Sequence, residues 1–231
     1  MLNLNMDQAV SFRTKQEYVY QILRHAIMTC QLSPGEKIVI SEVAKQLEVS
    51  AIPVREALQL LNSEELVTYS AHSGAIVSPI TRNSVVETFV IKEALEGVAT
   101  REASLIAKQE DILLLKGILG KMDELLESNN FDKWAYHNAE FHTTIVSMAN
   151  MPTLSSMHLK IVDKWDRIHK YFFSEMLNHR HVQSQEEHYE ILSAIEKRDA
   201  KEAELLIKNH NQKALADYML ELNSPNDASP K

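Results

Sequence analysis

Apolar residues at Tyr18, Ile22, Ala26 and Ile27 recur at the spacing of one helix face, which predicts an amphipathic helix over 14–30. Ser33-Pro34-Gly35 stops it as a turn. A second, shorter helix follows, with Ser41 as its candidate N-cap and Val43, Ala44 and Leu47 on one face. Ser50 is the candidate N-cap of a third helix. In it Pro53 falls in the first turn, where its missing N–H costs nothing, and Val54, Ala57, Leu58 and Leu61 form the apolar stripe. Leu66–Tyr69 and Ala75–Val77 are short β-prone runs around a turn with Gly74, and predict a small hairpin. Three helices followed by a hairpin is the element order of a winged helix-turn-helix.

The texture changes after Pro79. Between residues 83 and 222 the only proline is Pro152, and Leu/Ile/Ala patterns dominate. Six helices are predicted, over 83–106, 108–127, 131–149, 153–178, 182–197 and 199–221, with a break at His179-Arg180-His181. Each buries one stripe, as in a helical bundle. The expected fold is therefore mainly α: a winged helix-turn-helix over 11–80, an all-helical effector domain over 81–222, and a disordered polar tail over 223–231.

Composition narrows the classes. Hydrophobic content of 45% and charged content of 24% are those of an ordinary globular chain. No apolar run approaches the roughly 18–20 residues that span a bilayer, and no signal peptide is evident, so a cytoplasmic protein with no membrane contact is expected. The single cysteine, Cys30, fits a reducing compartment and is expected in the core. Net charge is −8, and residues 1–80 alone carry 6 Lys+Arg against 8 Asp+Glu. DNA binding must then rest on a few placed cations and a dimer, since phosphate neutralisation needs Lys and Arg.

The segment from Leu32 to Val67 resembles the GntR-family signature in Pro34-Gly35-Glu36, Val49-Ser50, Pro53-Val54-Arg55-Glu56-Ala57-Leu58 and Glu65-Leu66-Val67. The remainder is similar to the ligand-binding (FCD) domain of the FadR subgroup in Ala94-Leu95-Glu96, Phe141-His142, Asn150, Glu187-His188, Ala194-Ile195 and His210. The resemblance implies a bacterial, homodimeric transcription regulator whose partners are a double-stranded DNA operator and a small anionic metabolite. Arg55, early in the recognition helix, is the expected base or phosphate reader, because its fork can take guanine O6 and N7 together. Ser41 and Ser50 at helix starts suit phosphate oxygens. His72 and Gly74 match the family's wing tip. Ala51 and Ile52 stand where the family usually has Arg and Thr, and Glu48 where it has Gly, so one cation per half-site is missing. The plain alternatives are a surface salt bridge from Arg55 to Glu56 or Glu42, and a solvated turn for His72.

Eight of the ten histidines follow residue 130. Asn138 and His142 are one helical turn apart on one face. The resemblance implies that these two, with His188 and His210, ligate a divalent metal of the Zn or Ni type, Asn138 replacing the family's Asp. Lys92 stands for the family's Arg and is expected, with Asn138, to meet the effector. A buried histidine satisfied within the core is the alternative for each. His137, His179 and His181 are expected at the surface, and Glu140 and Glu187 on other helix faces. Trp165, Tyr171, Phe172 and Phe173 read as core or dimer seam. Two further functions compete: a metal-dependent helical-bundle enzyme, and an adaptor that has lost DNA binding. Against the enzyme, the chain lacks Glu-x-x-His, His-Glu-x-x-His and Gly-x-Ser-x-Gly.

Overall fold

The computed structural model describes residues 14–70, 74–172 and 178–222, less the side chains of 172, 178, 179 and 221. His72, Phe173 and the 223–231 tail lie outside the described residues, as do the side chains of Phe172 and His179. The chain forms two compact units that divide between Thr81 and Arg82.

In the first unit, α1 (Lys15–Met28) begins at Thr14, whose hydroxyl accepts the Glu17 N–H at 3.1 Å, a regular N-cap. It buries Val19, Ile22, Leu23, Ala26 and Ile27 against the Val54, Ala57, Leu58 and Leu61 face of α3 (Ala51–Ser63). α2 is Ile40–Gln46, and its N-cap is Val39, so Ser41 lies inside the first turn and caps nothing. Ser50 does hold the N-cap position of α3, yet its side chain makes no cap hydrogen bond. Cys30 adopts φ 57° just past α1 and is only half-buried, outside the apolar core expected for it.

The expected hairpin forms as β2 (Val67–Ser70) and β3 (Gly74–Val77), and a third strand joins it. β1 (Lys37–Ile38) pairs antiparallel with β3, Lys37 opposite Ile76, to give the order β1-β3-β2. Two residues are too few to show a period-2 pattern, which is why the sequence alone assigns them to no element. What fixes β1 is closure over the sheet, with Gly35 N–H donating to Val77 O and Val77 N–H to Glu36 O.

The second unit holds six helices among the described residues: α4 (Arg82–Ile106), α5 (Gln109–Glu127), α6 (Phe131–Met148), α7 (Pro152–Phe172), α8 (Asn178–Glu196) and α9 (Ala200–Leu222). Three of the joints turn on a left-handed residue, Asn129, Asn150 and Arg198, each with φ between 53° and 58°. Arg198 offsets its strain by donating to the Leu105 and Ala107 carbonyls at the end of α4. The expected break at 179–181 is a correction. Arg180 and His181 are buried within α8, and a run of charge that reads as a loop is a lining of the interior.

The interior of this bundle has two halves. Ala99 and Ala103 of α4, Leu115 and Leu119 of α5, Ile145 of α6, Ile191 and Ile195 of α8, and Ala203 and Ile207 of α9 make a dry apolar half. The middle of α4, α6 and α9 and the first half of α8 bury polar groups instead: Lys92, Glu96, Asn138, His142, Arg180, Glu187, His188 and His210. Burying this many polar groups costs free energy unless they satisfy one another.

Candidate functional site

On the first unit the residues expected to read DNA lie on α2, α3 and β3. Arg55 is exposed on α3, and among the described residues no carboxylate pairs with it, so the salt bridge to Glu56 or Glu42 is absent. Ser41, Ser50, Ala51 and Ile52 are exposed too, Ile52 at 66%. An apolar side chain so exposed at a helix start contributes nothing to this unit's core. Gly74 is exposed at φ 77°, a backbone conformation that L side chains rarely adopt.

In the second unit the structure brings His142, His188 and His210 together, with one ring nitrogen from each lying within 4.8 Å of the others. Their rings are buried, at 1%, 0% and 5% exposure. Burial pushes His142 down to about 3, despite the Glu96 carboxylate beside it, and holds His188 and His210 below their ordinary value. Neutral rings present lone pairs. A carboxylate only accepts, so His210, with Nδ1 at 2.7 Å from Glu187 Oε2, carries its proton there and offers Nε2. His142 Nδ1 lies 3.1 Å from Glu96 Oε2, off the line a good hydrogen bond needs, and its Nε2 has no partner among the described residues. Neither ring nitrogen of His188 has one among the described residues.

Buried, neutral imidazoles with unpartnered nitrogens are what a divalent metal of the Zn or Ni type requires. A metal about 2.1 Å from each nitrogen tolerates separations up to about 4 Å, so closing the present spacing takes under about 1 Å of side-chain movement. The residues therefore fit such an ion. Asn138, 6% exposed, lines a cavity of about 40 Å³ together with Lys92 and His210. Phe89, Trp134, Trp165 and Tyr218 supply its aromatic walls, and the buried Trp134 indole N–H has no partner among the described residues. Trp165 is thus a cavity wall.

The interior corrects the expectations for Glu187 and His181, and adds a charge network around Lys92 and Glu96. Lys92 lines the cavity, but its ammonium donates to Glu96 Oε2 and Asn211 Oδ1, both at 2.9 Å, which leaves one of its three N–H donors. Glu96 is the hub: beyond Lys92 and His142 it accepts from Asn211 Nδ2 at 2.8 Å and pairs with His158 Nε2 at 2.8 Å. Burial alone would raise its carboxyl, but His142, Lys92 and the His158 hydrogen bond hold it well below the carboxylate range. Glu187 faces inward rather than away. It takes Arg180 in a two-point grip at 3.1 and 2.7 Å as well as His210, and is held at about 2 against the opposing effect of burial. His181 and His158 are buried at 4% and 0%, whereas His137 and Glu140 pair with each other at the surface, as expected for His137.

Glu187 was misjudged because adjacent helical residues are about 100° apart, not opposite, so both Glu187 and His188 reach a wide polar interior. Lys92 and Glu96 at i, i+4 carry the visible signal of a pair, which on one helix alone looks like a solvated one.

Two family profiles match the chain. Residues 15–77 match "Bacterial regulatory proteins, gntR family" and residues 87–213 match the FCD domain. An HTH-type transcriptional regulator of Agrobacterium vitis is 31% identical over 144 residues, covering 61% of this chain and 84% of that protein. The transcriptional repressor RspR of Escherichia coli is 26% identical over 200 residues, 85% of each chain. The Uxu operon regulator of Haemophilus influenzae is 28% identical, covering 90% of this chain and 83% of that one. Among solved structures, Escherichia coli McbR/YncC superposes with a TM-score of 0.73 at 22% identity, over 92% of this chain and all of that one. That likeness is one of fold.

Proposed function

The chain belongs to the GntR family of bacterial regulatory proteins and carries an FCD domain, and from that premise we propose how its two units divide the work. It is a DNA-binding transcriptional regulator and not an enzyme. Regulators of this family bind DNA operators and dimerise. Residues 11–80 read the operator through Arg55, with Ser41, Ser50, Ala51 and Ile52 at the helix starts and His72 and Gly74 at the wing. Residues 81–222 sense a small anionic metabolite, with Lys92 and Asn138 at the cavity.

The observation that carries the sensing role is the buried cluster of His142, His188 and His210, in which the ring nitrogens of His142 and His188 have no hydrogen-bond partner among the described residues, beside a cavity with polar and aromatic walls. With Asn138, these residues would hold a divalent metal of the Zn or Ni type, which supplies positive charge and open coordination positions for an anion. The remaining Lys92 N–H, the Asn138 amide and the Trp134 N–H orient the ligand, and the aromatic walls keep water from it. Regulation is linkage: an effector that favours one dimer geometry shifts the spacing of the recognition helices, and DNA affinity with it.

The test is selection of bound duplexes from a random pool at physiological salt, with and without added Zn²⁺ and small carboxylates. Enrichment of a short palindrome, lost in Arg55→Ala and shifted by a carboxylate, is the expected result. No enrichment in any condition would overturn operator reading by this face and favour an adaptor. Enrichment unaffected by any carboxylate would overturn the anionic-metabolite reading alone.

A further inference from the structure

Replacing a carboxylate by Asn138 removes a full negative charge from a site that must hold a dication, and three neutral imidazoles do not restore it. The structure places two buried carboxylates one bond network further out. Glu96, on α4, faces His142 Nδ1 at 3.1 Å, and Glu187, on α8, takes the His210 Nδ1–H at 2.7 Å. Each sits behind the ring, on the side away from the free Nε2. The Glu187 hydrogen bond fixes the tautomer and orientation of the His210 ring and makes its far nitrogen a stronger donor to a metal. The Glu96 charge, close to His142 Nδ1 but not aligned with it, polarises that ring in the same direction without a hydrogen bond. Both are themselves held rigidly: Glu96 by Lys92, Asn211 and His158, Glu187 by Arg180 and, from the outside, Lys213.

We propose that Glu96 and Glu187 are positioning residues that compensate for Asn138, acting on the metal through His142 and His210 respectively. The proposal rests on the metal reading of the three histidines and assigns its outer residues. In it the metal charge is balanced from the second layer, and His188, which lacks such a carboxylate, is the least firmly oriented of the three rings.

The experiment uses the full chain, stripped by a chelator and titrated with Zn²⁺ against a chromophoric competitor. Wild type binds one equivalent, and Glu96→Gln and Glu187→Gln each weaken binding by about 10–100-fold. Asn138→Asp tightens it, and recovers most of the loss when combined with Glu96→Gln. A merely structural role is separated by double-mutant cycles. In a His142→Ala background Glu96→Gln has no further effect on Zn²⁺ affinity, and the same holds for Glu187→Gln in His210→Ala. Should Glu96→Gln leave Lys92 too costly to bury, the pair Lys92→Met/Glu96→Gln removes both charges together and must show the same loss. Single variants that bind as wild type, or losses undiminished in the matched alanine backgrounds, overturn the proposal. Absence of stoichiometric binding by wild type overturns the metal reading beneath it, a distinguishable failure.

Discussion

The two units solve opposite problems with charge. The proposed reading face of the first is made of exposed side chains: Arg55 has no carboxylate partner among the described residues, and Ala51 and Ile52 lie in solvent. The proposed sensing site of the second contains charges buried to 9% exposure or less, each held by two or more polar groups: Lys92, Glu96, Arg180 and Glu187. The difference predicts how each unit responds to change. An exposed cation can be lost without cost to the fold, so its cost falls on function. A buried one is tied to the fold, so its loss is read first as instability.

The sharpest way to break this contrast is to remove one member of the buried network. Glu96→Leu leaves Lys92 without its counter-charge and His158 without its carboxylate partner, and is expected to cost about 3–5 kcal/mol, the cost of an uncompensated buried charge. Chemical denaturation measures it. Adding Lys92→Met should recover most of the loss, because an apolar pair of similar volume is often as stable as a buried ion pair. A Glu96→Leu variant within 1 kcal/mol of wild type would mean that water reaches the network and the contrast fails.

The complementary change is Arg55→Ala. Its expected effect on stability is within about 0.5 kcal/mol. On operator binding it should cost about 1–3 kcal/mol per half-site if the guanidinium reads a base. A uniform loss across all sequences, with a shallower salt dependence, would reassign Arg55 to a phosphate. Fluorescence anisotropy at two salt concentrations distinguishes the two.

A third test asks whether every charge in the second unit is as well compensated as Glu96. Asp166, half-buried on α7, is not. Burial raises its carboxyl to about 6, helped by Asp163 and opposed by Lys170. The folded chain then holds this proton more tightly than the unfolded one, so its contribution to stability falls as pH rises from about 4 to about 6 and stays low above that. Asp166→Asn should therefore stabilise the protein by about 1–2 kcal/mol at pH 7, discounted for partial exposure, and have no effect near pH 4. Melting curves across that range give the answer; an equal effect at both ends would refute it.

The same contrast explains what was legible in the sequence. The first unit is built from local signals, and the Pro34-Gly35 turn, the Ser50 N-cap position and the stripes of α1 and α3 are visible one element at a time. β1 escaped because its two residues are ordered by β3, not by their own pattern. In the second unit the three histidines were legible through family spacing, and the helices were legible to within a residue or two except at the junction of α7 and α8. The carboxylates behind the histidines were not. Lys92 and Glu96 become a buried pair only when Asn211 of α9 and His158 of α7 close over them, and that closure joins positions more than sixty residues apart. Arg180 and His181 were lost for the same reason: charge in sequence signals solvent until a partner such as Glu187 is placed opposite.

The smallest expected effect lies at Glu48, where the first unit departs from its own logic of unconstrained surface. α2 ends at Gln46 with Leu47 as its C-cap, and the Val49 N–H returns to the Ala44 carbonyl at 3.0 Å while the Glu48 N–H reaches the Lys45 carbonyl at 3.4 Å. Those two bonds are the Schellman closure, which places Glu48 in the left-handed region at φ 53°, where glycine is favoured. The exposed side chain at that position makes no hydrogen bond or ion pair among the described residues that would offset the strain, so Glu48→Gly should stabilise the unit by about 0.5–1 kcal/mol after allowing for glycine's greater entropy in the unfolded chain. It also removes a negative charge from the turn that leads into α3, so operator affinity should rise, most at low salt. Thermal melts and anisotropy separate the two effects: Glu48→Gln removes the charge and keeps the strain, and should raise affinity without raising the melting temperature. Equal melting temperatures for Glu48→Gly and wild type would mean that the turn relaxes around Glu48 at no cost.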